Sequence, residues 1–170
     1  MDIQYDHDMN SEDIIKKVHN QIPEVLIKKQ VSWLENELGK NEVVFITRIN
    51  NQKATNLLDI YKEARFHEQA KCLIIGENLN KLKSNKKVAI ISGGTSDLAV
   101  TLEAKISLEI YGVSCQPFID VGVAGLHRLI SQLEEINKYD VLIVCAGMEG
   151  ALATVVGGLL PQPIIAVPVS

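Results

Sequence analysis

Three short glycine-containing segments carry most of the side chains in this sequence that could do chemistry. They read SGGTSD at 92–97, DVGVAG at 120–125 and AGMEGA at 146–151, and each follows an apolar run. Glycine lets the backbone turn tightly and approach a ligand closely. A helix that begins directly after such a turn presents free N–H groups, which attract phosphate. The three segments therefore predict phosphate-binding or nucleotide-binding loops.

The first segment, 92–97, offers backbone and hydroxyl donors beside one acid. Gly93 and Gly94 permit the turn, and Thr95 or Ser96 would cap the following helix. The spacing is neither that of a P-loop nor that of a Gly-x-Gly-x-x-Gly dinucleotide fingerprint. An ordinary strand-to-helix turn, in which Asp97 interacts with the helix dipole, is the alternative interpretation.

The second segment, 120–125, starts with an acid where carboxylates often meet ribose hydroxyls. Asp120 is equally typical of a turn or a helix cap. His127 and Arg128 follow in the first turns of the next predicted helix. His127 would lie near the binding edge of the sheet, so a role in proton handling and a merely solvated position are both open.

The third segment, 146–151, is the most informative. Its small residues leave room for a flat ligand, and Met148 offers an adaptable apolar contact. Glu149 is a single acid among small and apolar residues. Desolvation there would raise its pKa and suit it to proton transfer. The alternative is a glutamate at a helix start, favoured by the helix dipole.

The elements that position these segments alternate between strand and helix. Continuous apolar runs predict strands at 88–91, 113–119, 141–145 and 163–169, and helices are expected at 96–111, 124–137 and 151–160. Strands that are apolar on both faces and separated by helices indicate a doubly wound parallel α/β sheet, covered on both sides. Ligands of such sheets bind beyond the carboxyl ends of the strands, where the three segments lie.

The first half of the chain is predicted to form a smaller α/β segment. A capped helix should begin near Ser11, and a short strand and a helix are expected at 24–27 and 31–38. Further strands are expected at 42–49 and 70–75, with a helix at 51–64 between them. The polar, lysine-rich stretch 77–87 then predicts a boundary between domains 1–80 and 86–170.

The composition narrows the classes of function. The chain has 170 residues, 46% of them hydrophobic, and a formal net charge of -4, which argues against nonspecific binding of nucleic acid. No apolar stretch is long enough to span a membrane, and no signal pattern is present. Cys72, Cys115 and Cys145 form no Cys-x-x-Cys pair and are expected to be buried core residues. A cytoplasmic location fits this composition.

Taken together, the motifs resemble the LarB family. They read GGTSD, DVGVAGLHR, AGMEGA…VVGGL and PIIAVPVS in that order, with IPEV at 22–25 and ITRI at 46–49 ahead of them. Members of that family are pyridinium-3,5-biscarboxylic acid mononucleotide synthases of nickel-pincer cofactor biosynthesis. They are related to the carboxylase/mutase of purine biosynthesis that uses aminoimidazole ribonucleotide (AIR). The resemblance implies a flavodoxin-like, PurE-like sheet.

The resemblance also implies a reaction and a set of site residues. The substrate would be nicotinic acid adenine dinucleotide, carboxylated at C5 of the pyridinium ring by CO2 or bicarbonate, with hydrolysis of the phosphoanhydride and release of AMP. Glu149 and His127 would handle protons, with Asp97 at the binding loop. No tightly bound cofactor or metal ligand is implied, Mg²⁺ is an optional aid, and the assembly would be a homo-oligomer, an octamer by family. The nucleotide-binding residues would be Gly93, Gly94, Thr95, Ser96, Asp120, Gly122, Val123, Ala124, Ala146, Gly147, Met148 and Gly150.

Some positions depart from the family pattern. Ala153 and Thr154 stand where the family usually has Pro-Ser, and Cys145 replaces a usual aliphatic residue, so Cys145 is not expected to be a nucleophile. Family members continue beyond the last strand with a segment bearing a reactive cysteine. Because the last predicted strand also lacks a covering helix, we expect a truncated chain or a fold completed by a partner.

Two other functions stay open on the sequence alone. One is a carboxylase or mutase acting on aminoimidazole ribonucleotide. The other is a non-catalytic, nucleotide-binding subunit that holds an adenine dinucleotide without turning it over. Incorporation of CO2 into each substrate would separate these possibilities.

Overall fold

The computed structural model describes residues 43–76, 84–147 and 150–169. Contacts divide the chain into two compact units, Met1–Asn41 and Glu42–Ser170, and every element below belongs to the second. The helix start predicted at Ser11 and the elements predicted at 24–27 and 31–38 lie outside the described residues. The predicted division into domains 1–80 and 86–170 stays a prediction.

The second unit begins with a small antiparallel sheet. Its elements are β1 (Val43–Ile46), α1 (Asn51–Ile60), β2 (Arg65–His67) and β3 (Cys72–Gly76), and the strand order is β1-β3-β2. Asn50 caps α1, since its side chain accepts a hydrogen bond from the Lys53 N–H at 2.9 Å. The helix is shorter than predicted and β2 was missed. Phe66 is extended because it pairs with Leu73 of β3 across a short turn, and a run of three residues is too short to show a strand pattern.

The remaining elements form the predicted parallel sheet with helices. They are β4 (Lys87–Ser92), α2 (Leu98–Ile110), β5 (Ser114–Phe118), α3 (Leu126–Ile136), β6 (Val141–Ala146), α4 (Ala151–Leu159) and β7 (Ile164–Pro168). All three strand pairs are parallel, and the order is β5-β4-β6-β7. β4 comes first in the chain among these four strands and lies inside the sheet rather than at its edge, as in flavodoxin-like folds. The predicted fold class is confirmed.

The two central strands carry the core on both faces. Ile91 of β4 and Val144 of β6 pack with Leu129 of α3 and Val156 of α4. Ile90 and Cys145 point to the other face, where partly buried residues of α2 cover them; these are Val100, Ala104 and Leu108. Alternate residues of a strand face opposite sides, so a central strand flanked by helices is apolar throughout.

The edge strands are less buried than the central strands. Pro117 sits in β5, which an edge strand tolerates, and Ile165 of β7 is 55% exposed. Both faces of the edge strands still meet the core: Phe118 and Ile164 pack on one face, and Cys115 and Val167 on the other.

The strand order creates a crevice at one rim of this sheet. The chain leaves β4 toward β5 on one side and returns to β6 on the other side of β4. The loops that follow β4 and β6 therefore diverge at their carboxyl ends, and ligands of open α/β sheets bind at such a switch point.

None of the helices in the part of the chain that the structure describes is long and apolar enough to cross a lipid bilayer.

Candidate functional site

The loop after β4 is organised around the carboxylate of Asp97. Residues Thr95–Asp97 form one 3-10 turn that leads into α2. The Gly94 N–H donates to Asp97 Oδ2 at 2.9 Å, and the Ser96 hydroxyl lies 3.3 Å from Oδ1. Asp97 is only 5% exposed. The expectation that Thr95 or Ser96 caps the helix was wrong, because the Asp97 side chain satisfies the orphan N–H of this loop instead.

The loop after β5 presses against the first loop. The Val121 N–H donates to the Ser92 carbonyl at 3.1 Å. A Cβ on Gly122 would lie 3.0 Å from the carbonyl carbon of Gly93 and closer still to its oxygen. The two backbones therefore touch at a point where only glycine fits.

Asp120 opens this second loop in a left-handed conformation with φ of 60°. Arg128 of α3 holds it, since Nε donates to the Asp120 carbonyl at 2.6 Å and Nη2 to Oδ1 at 3.1 Å. Both side chains are about half exposed, so the ion pair positions the loop more than it stabilises the fold. His127 is exposed in the first turn of α3.

The loop after β6 is the third of the predicted loops, and it lies next to the first. A Cβ on Gly147 would lie 3.8 Å from Asp97 Oδ1 and 3.2 Å from the Val169 carbonyl oxygen. Gly150 has φ of 68° and precedes α4, and its N–H donates to the Gly147 carbonyl at 3.1 Å. Glycine is favoured there because other residues rarely adopt this conformation. Met148 and Glu149 lie outside the described residues.

The three predicted loops therefore meet at one rim of the parallel sheet. The Gly93 N–H donates to the Cys145 carbonyl at 3.2 Å, which joins the first loop to the end of β6. Thr95 and Asp120 follow the neighbouring strands β4 and β5. The catalytic and nucleotide-binding roles given to these residues stay predictions. This rim brings together small residues, two helix starts and one buried acid, Asp97.

Two buried hydroxyl groups next to the first loop, those of Thr101 and Ser92, were not predicted from the sequence. The Thr101 hydroxyl donates to the Asp97 carbonyl at 2.8 Å, and both residues are buried. The Ser92 hydroxyl is fully buried and has no hydrogen-bond partner among the described residues. Threonine four residues after Asp97 is the signal that could have identified this bond, since Thr in a helix often bonds the carbonyl four residues earlier.

The three cysteines are free thiols, buried at 72 and 145 and half-buried at 115. Burial raises the pKa of Cys145, and hydrogen bonding to Thr101 opposes that rise. Burial also raises the pKa of Cys115. A thiol with a raised pKa is mostly protonated at neutral pH and is a poor nucleophile, consistent with a structural role for Cys145.

Cys72 should make folding sensitive to alkaline pH. Burial, with Glu103 as the second cause, raises the pKa of its thiol to about 11. An unfolded cysteine titrates near pH ~8.5, so above that pH the unfolded chain loses a proton that the folded chain keeps. The free energy of unfolding should therefore fall as pH rises from about 8.5 to about 11. Urea melts across this range should show a smaller fall for Cys72→Ala, and an identical fall in both proteins would contradict the prediction.

Within the ranges that the structure describes, no three His, Cys, Asp or Glu side chains cluster in a way that could hold a metal ion. The expectation that the protein supplies no metal ligands stays a prediction.

Comparisons with known proteins agree with this geometry. Residues 87–170 match the AIR carboxylase family, and the match covers β4 to β7 with all three loops. An uncharacterised protein of Methanocaldococcus jannaschii is 35% identical to this chain, over 93% of the chain and 67% of its own length. Residues 87–170 are therefore an AIR carboxylase domain, and the chain belongs to the family of proteins that carry this domain.

Proposed function

We propose that the protein carboxylates the pyridinium ring of nicotinic acid adenine dinucleotide and hydrolyses its phosphoanhydride. The products are pyridinium-3,5-biscarboxylic acid mononucleotide and AMP. The observation that carries the proposal is the meeting of three glycine-containing loops around Asp97 at the switch point of a parallel sheet. An AIR carboxylase domain supports a carboxylase or mutase of a nucleotide substrate. The dinucleotide and the hydrolysis are what the resemblance of the sequence motifs to the LarB family implies.

The roles of the loops follow from their positions at the starts of helices. The first and second loops bind the phosphate and ribose of the mononucleotide half, because anions are attracted to helix starts. The third loop, which contains Gly147 and Glu149, receives the pyridinium ring. Carboxylation replaces a ring C–H with a C–C bond to the carboxylate, so one proton must leave the ring, and Glu149 is the proposed acceptor. His127 would exchange that proton with solvent.

The second candidate function is that of a carboxylase or mutase that acts on aminoimidazole ribonucleotide. The match of residues 87–170 to the AIR carboxylase family favours it. That substrate carries one phosphate and has no anhydride, so it needs no second anion-binding region. A nucleotide-binding subunit without turnover is the remaining alternative.

Turnover with labelled bicarbonate separates these functions. The protein is incubated with ¹³C-bicarbonate and either nicotinic acid adenine dinucleotide or aminoimidazole ribonucleotide, and products are followed by mass spectrometry. We expect label in a pyridinium mononucleotide, together with AMP. Label only in the imidazole product would establish the second candidate, and binding without label in either product would establish the third.

Glu149→Gln tests the proton acceptor in the same assay. We expect dinucleotide affinity to be retained and product formation to fall about 10²-fold or more, because the amide cannot accept the ring proton. Glu134→Gln makes the same change on the exposed side of α3 and should leave turnover unchanged. Full activity of Glu149→Gln would remove Glu149 from the mechanism.

A further inference from the structure

A cavity of about 560 Å³ lies between the antiparallel and parallel parts of the second unit. Arg48 and Lys71 line it from the turns before α1 and β3, and Glu103 lines it from α2. Val167 and Val169 line it from the end of β7. Cavities of ~300–1,000 Å³ commonly hold small ligands, so a molecule the size of a mononucleotide fits this volume.

Both basic residues adopt an unusual backbone conformation. Arg48 has φ of 54° and Lys71 has φ of 52°, and they are two of the three non-glycine residues with positive φ in the described ranges. Neither is Asn or Asp, the residues that tolerate this region best. The Ile49 N–H donates to the Lys71 carbonyl at 2.9 Å, which ties the two strained turns together. Strain of this kind persists where surrounding structure enforces it, and it clusters at ligand-binding sites.

The charges in the cavity favour an anion. Arg48 and Lys71 are exposed, and neither makes an ion pair with an acid in the part of the chain that the structure describes. Among the described residues that line the cavity, the half-buried Glu103 is the one acid. Two cations against one carboxylate leave a net positive lining. The wall between them is apolar and suits the uncharged part of a ligand; it includes Ala99, Val100, Ala104 and Val167.

The cavity and the third loop share Val169 as a common wall. Val169 lines the cavity, and its carbonyl oxygen lies 3.2 Å from the position of a Cβ on Gly147. The Val169 N–H donates to the Ala146 carbonyl at 2.9 Å, which holds this residue against the end of β6. A ligand that spans the loops and the cavity therefore has to pass around Val169.

We propose that this cavity is a second phosphate-binding subsite for a nucleoside monophosphate, in which Arg48 and Lys71 contact the phosphate. The assignment rests on the function proposed above, and it places there the mononucleotide half of the dinucleotide that does not carry the pyridinium ring. Arginine and lysine bind phosphate by charge-assisted hydrogen bonds, and arginine can do so through two parallel bonds.

The test is the affinity of the intact chain for AMP, measured by calorimetry without turnover. Arg48→Asn and Lys71→Asn remove one charge each and suit the left-handed backbone, so both variants should fold. We expect each to raise the Kd for AMP about tenfold, since a charged hydrogen bond is lost. Glu103→Gln should lower the Kd because it removes repulsion, and Arg48→Lys should restore most of the affinity. Lys62→Asn, an exposed turn residue outside the cavity, is the matched control.

Adenosine and inorganic phosphate identify the ligand class. Adenosine should bind weakly and should not respond to Arg48→Asn, because it carries no phosphate. AMP affinities unchanged in both Asn variants, or no binding of AMP to the native chain, would overturn the subsite. Inorganic phosphate that binds as tightly as AMP would overturn its assignment to a nucleotide. If the protein does not carboxylate the dinucleotide, the proposed function is contradicted. AMP binding that weakens in Arg48→Asn and Lys71→Asn would still support the phosphate-binding subsite.

Discussion

Replacing Gly122 with alanine should lower the free energy of unfolding by about 3 kcal/mol, because the new Cβ would overlap the backbone of another loop. That Cβ would lie 3.0 Å from the Gly93 carbonyl carbon and closer to its oxygen. Neither neighbour can rotate away, since Gly93 is held by its bond to the Cys145 carbonyl and the second loop by the bond from Val121 to Ser92. Urea denaturation of both proteins gives the difference directly.

Gly158→Ala is the matched control for this substitution. Gly158 lies exposed in α4, and a Cβ there would meet nothing within 4 Å. Alanine is the better helix former, so in the last turn of α4 it should leave the free energy of unfolding unchanged or raise it by up to about 0.5 kcal/mol. If both substitutions changed the free energy of unfolding in the same direction, the close approach of the two loops would not be the reason for glycine at 122.

Asp97→Asn should lower kcat by about 10²–10⁴-fold while dinucleotide binding and folding persist, because asparagine keeps the shape of the side chain but loses its charge. The amide oxygen can still accept the bond from the Gly94 N–H, which holds the first loop in place. Asp97 is buried, and its Oδ1 lies close to Gly147 of the third loop, which the proposed function assigns to the ring. Steady-state kinetics, dinucleotide binding and thermal melts together separate chemistry from positioning.

Asp140→Asn makes the same change at the opposite end of the sheet. Asp140 precedes β6 and accepts bonds from the Lys87 N–H and the Lys86 ammonium. Turnover should be unaffected there. A folded Asp97→Asn variant with native kcat would show that Asp97 only shapes the loop.

The local patterns predicted the parallel half of the fold well, for a physical reason. Buried central strands such as β4 and β6 need apolar residues on both faces, and their helices begin where glycine ends the strand. Both requirements concern residues that are adjacent in the sequence, so the sequence alone predicts these elements. β2 was missed because its three residues are held by pairing with β3, seven residues further along the chain at Phe66 and Leu73.

In the loops, too, some features were predicted from the sequence and others were decided by tertiary contacts. The sequence indicated that 92–97 turns and carries an acid, but the hydroxyls of Thr95 and Ser96 are equally good caps by local rules. The structure assigns the bond to the Asp97 carboxylate, which accepts from the Gly94 N–H, while the Thr101 hydroxyl holds the Asp97 backbone carbonyl. Arg48 and Lys71 attracted no attention in the sequence, because an unusual φ leaves no signature when the residue is not glycine or asparagine.

By itself, the order of apolar runs and glycine turns determined that 88–169 forms a parallel α/β sheet with its loops at one rim. Periodicity and turn chemistry act over a few residues, so the sequence expresses them directly. Only the tertiary structure decided that Gly122 touches Gly93, that Asp97 lies beside Gly147, and that two strained basic residues face α2 across a cavity. Those contacts join residues far apart in the chain, and strand order and packing, rather than local preference, bring them together.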